Sequence, residues 1–146
     1  MKALLKKSKF WLSAAAILFV VLCFPPILNL VLINSAGKGQ VSTVNHLLAI
    51  GVAPSDDAFS VAASEGQTAV VCSLLAAGAN PNAMNEIDET ALAYAAEYGH
   101  AKVVRLMLAY GADPNWGCRE MDPLTVARLG NYPDIVKMLK RAGAKD

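Results

Sequence analysis

The chain has 146 residues, a length that allows one domain and a short appendage. Hydrophobic residues make up 55% of it and the formal net charge is +1, yet all twelve acidic residues follow position 55. From Lys38 onward, nine basic and twelve acidic residues leave a formal charge of −3. An acidic balance of this kind, with no basic stripe, argues against a nucleic-acid-binding protein.

The N-terminal part combines a basic start with a long hydrophobic run. Four lysines precede an uncharged stretch from residue 10 to residue 37: Lys2, Lys6, Lys7 and Lys9. We interpret residues 1–9 as a basic n-region and residues 10–33 as a transmembrane anchor or a signal sequence. As a helix, residues 10–24 span about 22 Å and residues 10–33 about 36 Å, against a hydrocarbon core of about 30 Å.

We expect the uncleaved anchor, because no A-x-A cleavage site follows the hydrophobic run at the usual distance. The four lysines then stay in the cytoplasm and the remainder is exported. This predicts a single-pass inner-membrane protein with its folded domain in the periplasm, or a periplasmic protein if the segment is cleaved. A hydrophobic first core helix of a cytosolic protein is disfavoured, because nothing would cover an all-round apolar helix.

A helical hairpin occupies residues 86–115. Thr90 is expected to cap a first helix, and Gly99 to end it in a left-handed turn. The second helix places apolar residues at helical spacing until Gly111 ends it: Val103, Val104, Met107 and Leu108. One such hairpin is too thin to bury its own apolar face, so it needs neighbours of the same kind.

Those neighbours are present, because three kinds of position recur every 32 or 33 residues. They are the caps Asp57, Thr90 and Asp122, the inner turns Gly66, Gly99 and Asn131, and the helix-ending glycines Gly78, Gly111 and Gly143. Asparagine at the third inner turn fits, since it tolerates the left-handed conformation better than most residues. Stacked helical hairpins are therefore predicted.

These motifs resemble the ankyrin repeat. Its T-P-L-H-x-A signature is similar to TALAYA at 90–95 and DPLTVA at 122–127, and its G-H-x-x-V-V-x-L-L pattern is similar to GHAKVVRLM at 99–107. The resemblance implies an all-α, ankyrin-type helical repeat solenoid behind an N-terminal hydrophobic helix. The repeat domain is expected over residues 34–146, with about four repeats at roughly 30–54, 55–82, 86–115 and 118–146. Three positions depart from the signature's histidine: Ser60, Ala93 and Thr125.

The end repeats differ from the middle ones. The first is expected to be degenerate, with Leu30 at its cap position and a step of only 27 residues from Gly51 to Gly78. In the last, Lys140 stands where the earlier repeats have Leu48, Leu75 and Leu108. We expect Leu75 and Leu108 to lie in the core and the basic last helix to close the array.

The sequence gives little sign of catalysis. His100 occupies the repeat's own G-H position and His46 is expected on the surface, so no histidine pair has metal-ligand spacing. No glycine-rich phosphate loop and no nucleophile elbow is present. We therefore expect no enzyme activity, no cofactor and no small-molecule substrate.

The expected function is non-catalytic binding of a protein partner whose identity the sequence does not name. The resemblance implies binding on the concave side, through hairpin tips and the ends of first helices. The matching residues are Glu86, Ile87, Glu97, Tyr98, Trp116, Arg119 and Glu120. We expect Trp116 and Tyr98 to border one groove, and their acidic surroundings to favour a neutral or basic partner.

Three more specific possibilities stay open. Two lie within the binding class: an immunity or inhibitor protein against a periplasmic effector, and a scaffold for a periplasmic enzyme. The third is a different class, a thiol-dependent peroxide-defence enzyme that would use Cys72 or Cys118, with Arg119 beside the latter.

Overall fold

The computed structural model describes residues 25–85, 89–117 and 121–145, which form eight helices in four hairpins. The first helices are α1 (Pro25–Gly37), α3 (Asp56–Ser64), α5 (Ala91–Glu97) and α7 (Pro123–Leu129). The second helices are α2 (Val41–Ala49), α4 (Thr68–Ala76), α6 (Ala101–Ala109) and α8 (Pro133–Arg141). First helices pack on first helices and second helices on second helices, so the predicted all-helical stack of hairpins is confirmed.

Side-chain caps start three of the first helices. An oxygen of Ser55, Thr90 or Asp122 accepts the backbone N–H three residues further on, at 3.3, 3.1 and 2.9 Å respectively. The prediction that Asp57 is the first of these caps is wrong, because α3 already begins at Asp56 and the serine before it supplies the oxygen. The period of the caps is correspondingly less regular than that of the turns.

The inner turn of the last hairpin uses an asparagine in the left-handed conformation, as predicted. Asn131 has a φ of 57°, close to the φ of 75° at Gly99 in the preceding hairpin. Asparagine adopts this conformation at lower cost than other residues with a side chain. The turn therefore keeps the same geometry without a glycine.

Two columns of large buried side chains run through the core of the stack. The column on the first helices is Leu32, Phe59, Leu92 and Leu124, and the column on the second helices is Leu47, Leu74, Met107 and Leu139. Leu75 is buried as predicted, but Leu108 is only partly buried against the core. The correction has a simple cause: the side chain that points directly inward is one residue earlier, at Met107.

The first repeat begins earlier than the sequence predicts. α1 starts at Pro25 and packs on α3, and Leu32 is fully buried between them. Leu30 lies within this helix, 66% exposed, so its placement at a cap position is wrong. Residues 25–33, predicted from the sequence to belong to the hydrophobic anchor, are thus part of the repeat stack.

The n-region and the rest of the predicted anchor, residues 1–24, lie outside the described residues. Within residues 25–85, 89–117 and 121–145, no helix is both long enough and apolar enough to cross a bilayer.

Candidate functional site

A groove of about 870 Å³ crosses the face of the first helices, between the first, second and third hairpins. We call it the first-helix groove. Its middle wall is α3, which presents Asp57, Ser60, Val61 and Ser64. These four residues line one side because their spacing follows the helical period, while Phe59 points the other way into the core.

The opposite wall is α5 and the residues that follow it. Tyr94 lies in α5 and Tyr98 caps its C-terminus, and both line the groove. Their four-residue spacing places them on the same face of the helix. Tyr98, a predicted site residue, is 52% exposed there. Glu97, another predicted site residue, is partly buried at the last position of α5. Tyr94 was not among the predicted residues, although its four-residue spacing from Tyr98 was a usable signal.

The remaining predicted residues lie elsewhere. Trp116 is 48% exposed and lines a separate depression with Asn80, Asn82 and Met84, so the structure does not bring its ring and that of Tyr98 into one groove. Four others lie outside the described residues: Glu86, Ile87, Arg119 and Glu120.

The hairpin before α5 is tied to the groove by a hydrogen-bond cluster. The Tyr94 hydroxyl donates to the Glu89 carboxylate, and the Asn85 side-chain amide donates to the Tyr94 oxygen at 2.9 Å. Across the hairpin, the Glu89 backbone N–H donates to Asn85 Oδ1 at 3.0 Å. The residues on both sides of positions 86–88 are therefore held against α5.

The same cluster changes the acidity of the phenol. The hydrogen bond to Glu89, followed by burial and the negative charge of Glu89, raises the pKa of Tyr94 to about 12. The neutral hydroxyl, which is the form that donates to Glu89, is therefore retained well into the alkaline range.

A hydrogen bond from a side chain to a backbone carbonyl joins the second and third hairpins at the floor of the groove. His100 Nε2 donates to the carbonyl oxygen of Ser64 at 2.8 Å. The imidazole lies over Gly66, where an added Cβ would come within 2.6 Å of His100 Nδ1. Gln67 makes the equivalent contact one repeat earlier, donating to the carbonyl oxygen of Gly37 at 3.2 Å. These contacts join neighbouring repeats although the signature histidine is missing.

Ser60 stands at one of the positions where that histidine is expected. Its side chain lines the groove, and the residue is only 8% exposed. Within the described part of the chain, its Oγ has no hydrogen-bond partner. A buried hydroxyl without a partner is unfavourable by about 1–3 kcal/mol.

Charge is divided along the array. Asp57 and Glu65 line the first-helix groove, and the Glu89 carboxylate is hydrogen-bonded to Tyr94 in its wall. A second depression, on the last hairpin, is basic and is lined by Arg128, Lys137, Lys140 and Arg141. The groove and the C-terminal end therefore offer surfaces of opposite sign.

The described residues offer little for metal or thiol chemistry. Among the described residues, no group of three or more His, Cys, Asp or Glu side chains is arranged to hold a metal ion. Cys72 is an exposed free thiol on α4, a second helix, and Cys118 lies outside the described residues.

Comparison with known proteins places this arrangement in context. A family model described as ankyrin repeats in three copies matches residues 32–115 and 59–146. A search of curated proteins found no match.

Proposed function

Since the chain belongs to the ankyrin-repeat family, a family of protein–protein interaction modules, we propose that it binds a protein partner in the first-helix groove without catalysing a reaction. The observation that carries this proposal is the exposed ring of Tyr98 in a groove whose walls are held by packed helices. Tyrosine is among the residues that contribute most to interface energies, because its ring covers a large area with few rotatable bonds.

The hairpin before α5 supports the same surface. Tyr94 is hydrogen-bonded to Asn85 and Glu89, the described residues on either side of a stretch that contains the predicted contacts Glu86 and Ile87. Because Asn85 and Glu89 are already held by these hydrogen bonds, less of the binding energy is spent on ordering them when a partner binds. Tyr94 is thus proposed as a positioning residue for the hairpin.

We further propose that the N-terminal run brings the repeat domain to the membrane and places it on the exported side. The support is in the sequence: four lysines precede the uncharged residues 10–24. The exposed apolar side chains on α1, Ile27, Leu30 and Val31, directly follow that run and suit a location near the lipid surface.

The binding proposal is tested by site-specific photo-crosslinking in the cells that produce the protein. A photoreactive amino acid replaces Tyr98 in the full chain, and mass spectrometry identifies what it captures. Position 110 is the matched control, because Tyr110 is 47% exposed but follows α6, a second helix. The proposal predicts one dominant protein captured from position 98 and not from position 110. Equal capture from both positions, or none from position 98, would contradict it.

The membrane proposal needs a separate test. A reporter that is active only after export, fused behind Asp146, is expected to be active, and a reporter active only in the cytoplasm is expected to be silent. The mass of the mature protein then separates an anchor from a cleaved signal sequence, because the anchor retains residues 1–24. A cytoplasmically active fusion would refute the placement.

A further inference from the structure

We propose that the first-helix groove receives a cationic side chain of the partner, a lysine ammonium or an arginine guanidinium. The inference rests on the proposed function, because it specifies the chemistry that the groove recognises. Three independent features of the groove support it: its carboxylates, its tyrosines and an unused acceptor in its floor.

The carboxylates of Asp57 and Glu65 give the groove a negative charge. Asp57 and Glu65 line it from the two ends of α3, and no hydrogen bond or ion pair joins either carboxylate to another described residue. Of the described lining residues, only His100 can carry positive charge, and its Nε2 is already donating to the Ser64 carbonyl oxygen. Both carboxylates are therefore available to a positive group from outside.

The tyrosines add a surface that suits an organic cation. Tyr94 and Tyr98 form the wall facing α3, so a side chain between the two walls meets one carboxylate on one side and aromatic rings on the other. A ring face attracts an ammonium or guanidinium through its quadrupole, and guanidinium also stacks on it. A neutral donor also hydrogen-bonds to a carboxylate, but a positively charged donor forms the stronger bond.

Ser60 supplies the observation that points to a ligand independently of charge. Its Oγ is buried in the groove floor with no partner in the described part of the chain, while the side chain lines the cavity. A hydroxyl oxygen accepts hydrogen bonds, and lysine and arginine side chains only donate them. In the conformation described this oxygen is covered, so a donor entering the groove satisfies it once the Ser60 side chain rotates toward the cavity.

The test uses the isotope-labelled full chain in a neutral detergent and two pentapeptides with blocked ends. One is Gly-Arg-Gly-Arg-Gly, and the other carries citrulline in place of both arginines, which keeps the shape and removes the charge. Nuclear magnetic resonance should show the arginine peptide shifting the amide signals of Ser64 and Tyr98. The citrulline peptide should bind at least fivefold more weakly. Equal binding of the two peptides, or shifts confined to the basic depression, would overturn the inference.

Charge variants sharpen this result. Asp57→Asn and Glu65→Gln should each weaken binding of the arginine peptide by up to about fivefold, as expected for a partly exposed ion pair. The matched control Asp134→Asn removes an exposed carboxylate from α8 and should leave binding unchanged. An equal loss in all three variants would show that only overall charge matters and would contradict a cation site in the groove.

Ser60→Ala tests the acceptor separately. It should weaken binding of the arginine peptide several-fold while the melting temperature stays the same or rises, because an unpaired buried hydroxyl has been removed. Unchanged binding with a higher melting temperature would remove Ser60 from the site.

Two results distinguish this inference from the proposal on which it rests. If position 98 captures a protein in cells but the arginine peptide does not bind, the cation site is wrong and partner binding in the groove stands. If the isolated chain forms dimers that Asp57→Asn abolishes, the cation comes from the basic end of a second copy, and the assignment to a separate partner is overturned.

Discussion

His100 Nε2 donates to the carbonyl oxygen of Ser64 across 36 positions of sequence, at 2.8 Å. The contact joins the inner turn of the third hairpin to the end of the first helix of the second. Because the imidazole lies over Gly66, that glycine meets two requirements at once: a φ of 68° and the absence of a Cβ. The repeated glycine at the inner turn thus serves the stacking of neighbouring repeats as well as the turn itself.

Gly66→Ala is therefore predicted to be more destabilising than Gly78→Ala. Both glycines have positive φ, and a left-handed alanine costs about 1–2 kcal/mol, but only at Gly66 does the new Cβ meet a neighbouring side chain. Chemical denaturation of the two variants measures the difference. Adding His100→Ala to each variant should reduce the difference between their losses in free energy of unfolding. Equal losses for Gly66→Ala and Gly78→Ala in the chain that keeps His100 would contradict the contact as the cause.

The two core columns predict that truncation at Met107 lowers stability more than truncation at Leu108. Met107→Ala should reduce the free energy of unfolding by about 2–5 kcal/mol, because its side chain is fully buried. Leu108→Ala should cost about 1 kcal/mol, and Lys140→Ala less than about 0.5 kcal/mol. Thermal or urea unfolding of the three variants decides. A larger loss at Leu108 than at Met107 would show that the inward-facing register is wrong.

Tyr94 predicts a feature of the alkaline titration. Its pKa is raised to about 12 in the folded chain against 10.0 for an unperturbed phenol. The neutral form is the one favoured by folding, so its contribution to stability is complete below pH 10 and is lost as pH rises toward 12. Absorbance at the phenolate band should show a late step that Tyr94→Phe removes. A late step that survives in the variant would contradict the hydrogen bond to Glu89 as its origin.

The stacking of the hairpins could be predicted from sequence because each of its requirements is local. Asn131 in the left-handed turn and Thr90 at a helix start are set by neighbouring backbone atoms. The first repeat could not be delimited in the same way. An apolar segment around Leu32 is expected both for a helix in lipid and for a helix packed on α3, so hydropathy does not distinguish the two. One signal was available: Leu32 and Phe59 are 27 residues apart, the same spacing as Gly51 and Gly78.

The groove was predictable only in part. Tyr98 follows from its place at the end of a first helix, but the link between Tyr94 and Glu89 depends on how the hairpin folds back on α5. The burial of Ser60 Oγ without a hydrogen-bond partner depends on packing between helices that are distant in the chain. The repeat spacing predicts a cap at Asp57, whereas the structure places this residue in the groove.

Trp116 remains a predicted contact whose role one variant can decide. Its half-exposed ring lines a depression of its own beside Asn82 and Met84. Trp116→Ala is expected to weaken partner binding by about 2 kcal/mol or more, with a small change in melting temperature. A lowered melting temperature with intact binding would identify the indole as a packing residue of its hairpin.

The affinity of the captured partner for Tyr98→Ala tests the binding surface most directly. Tyr110→Ala, which removes an equally exposed tyrosine after a second helix, is measured beside it by isothermal titration calorimetry. We expect Tyr98→Ala to lose about 2 kcal/mol of binding free energy and Tyr110→Ala less than about 0.5 kcal/mol, with both melting temperatures unchanged. Equal affinity of the two variants would contradict binding in the first-helix groove.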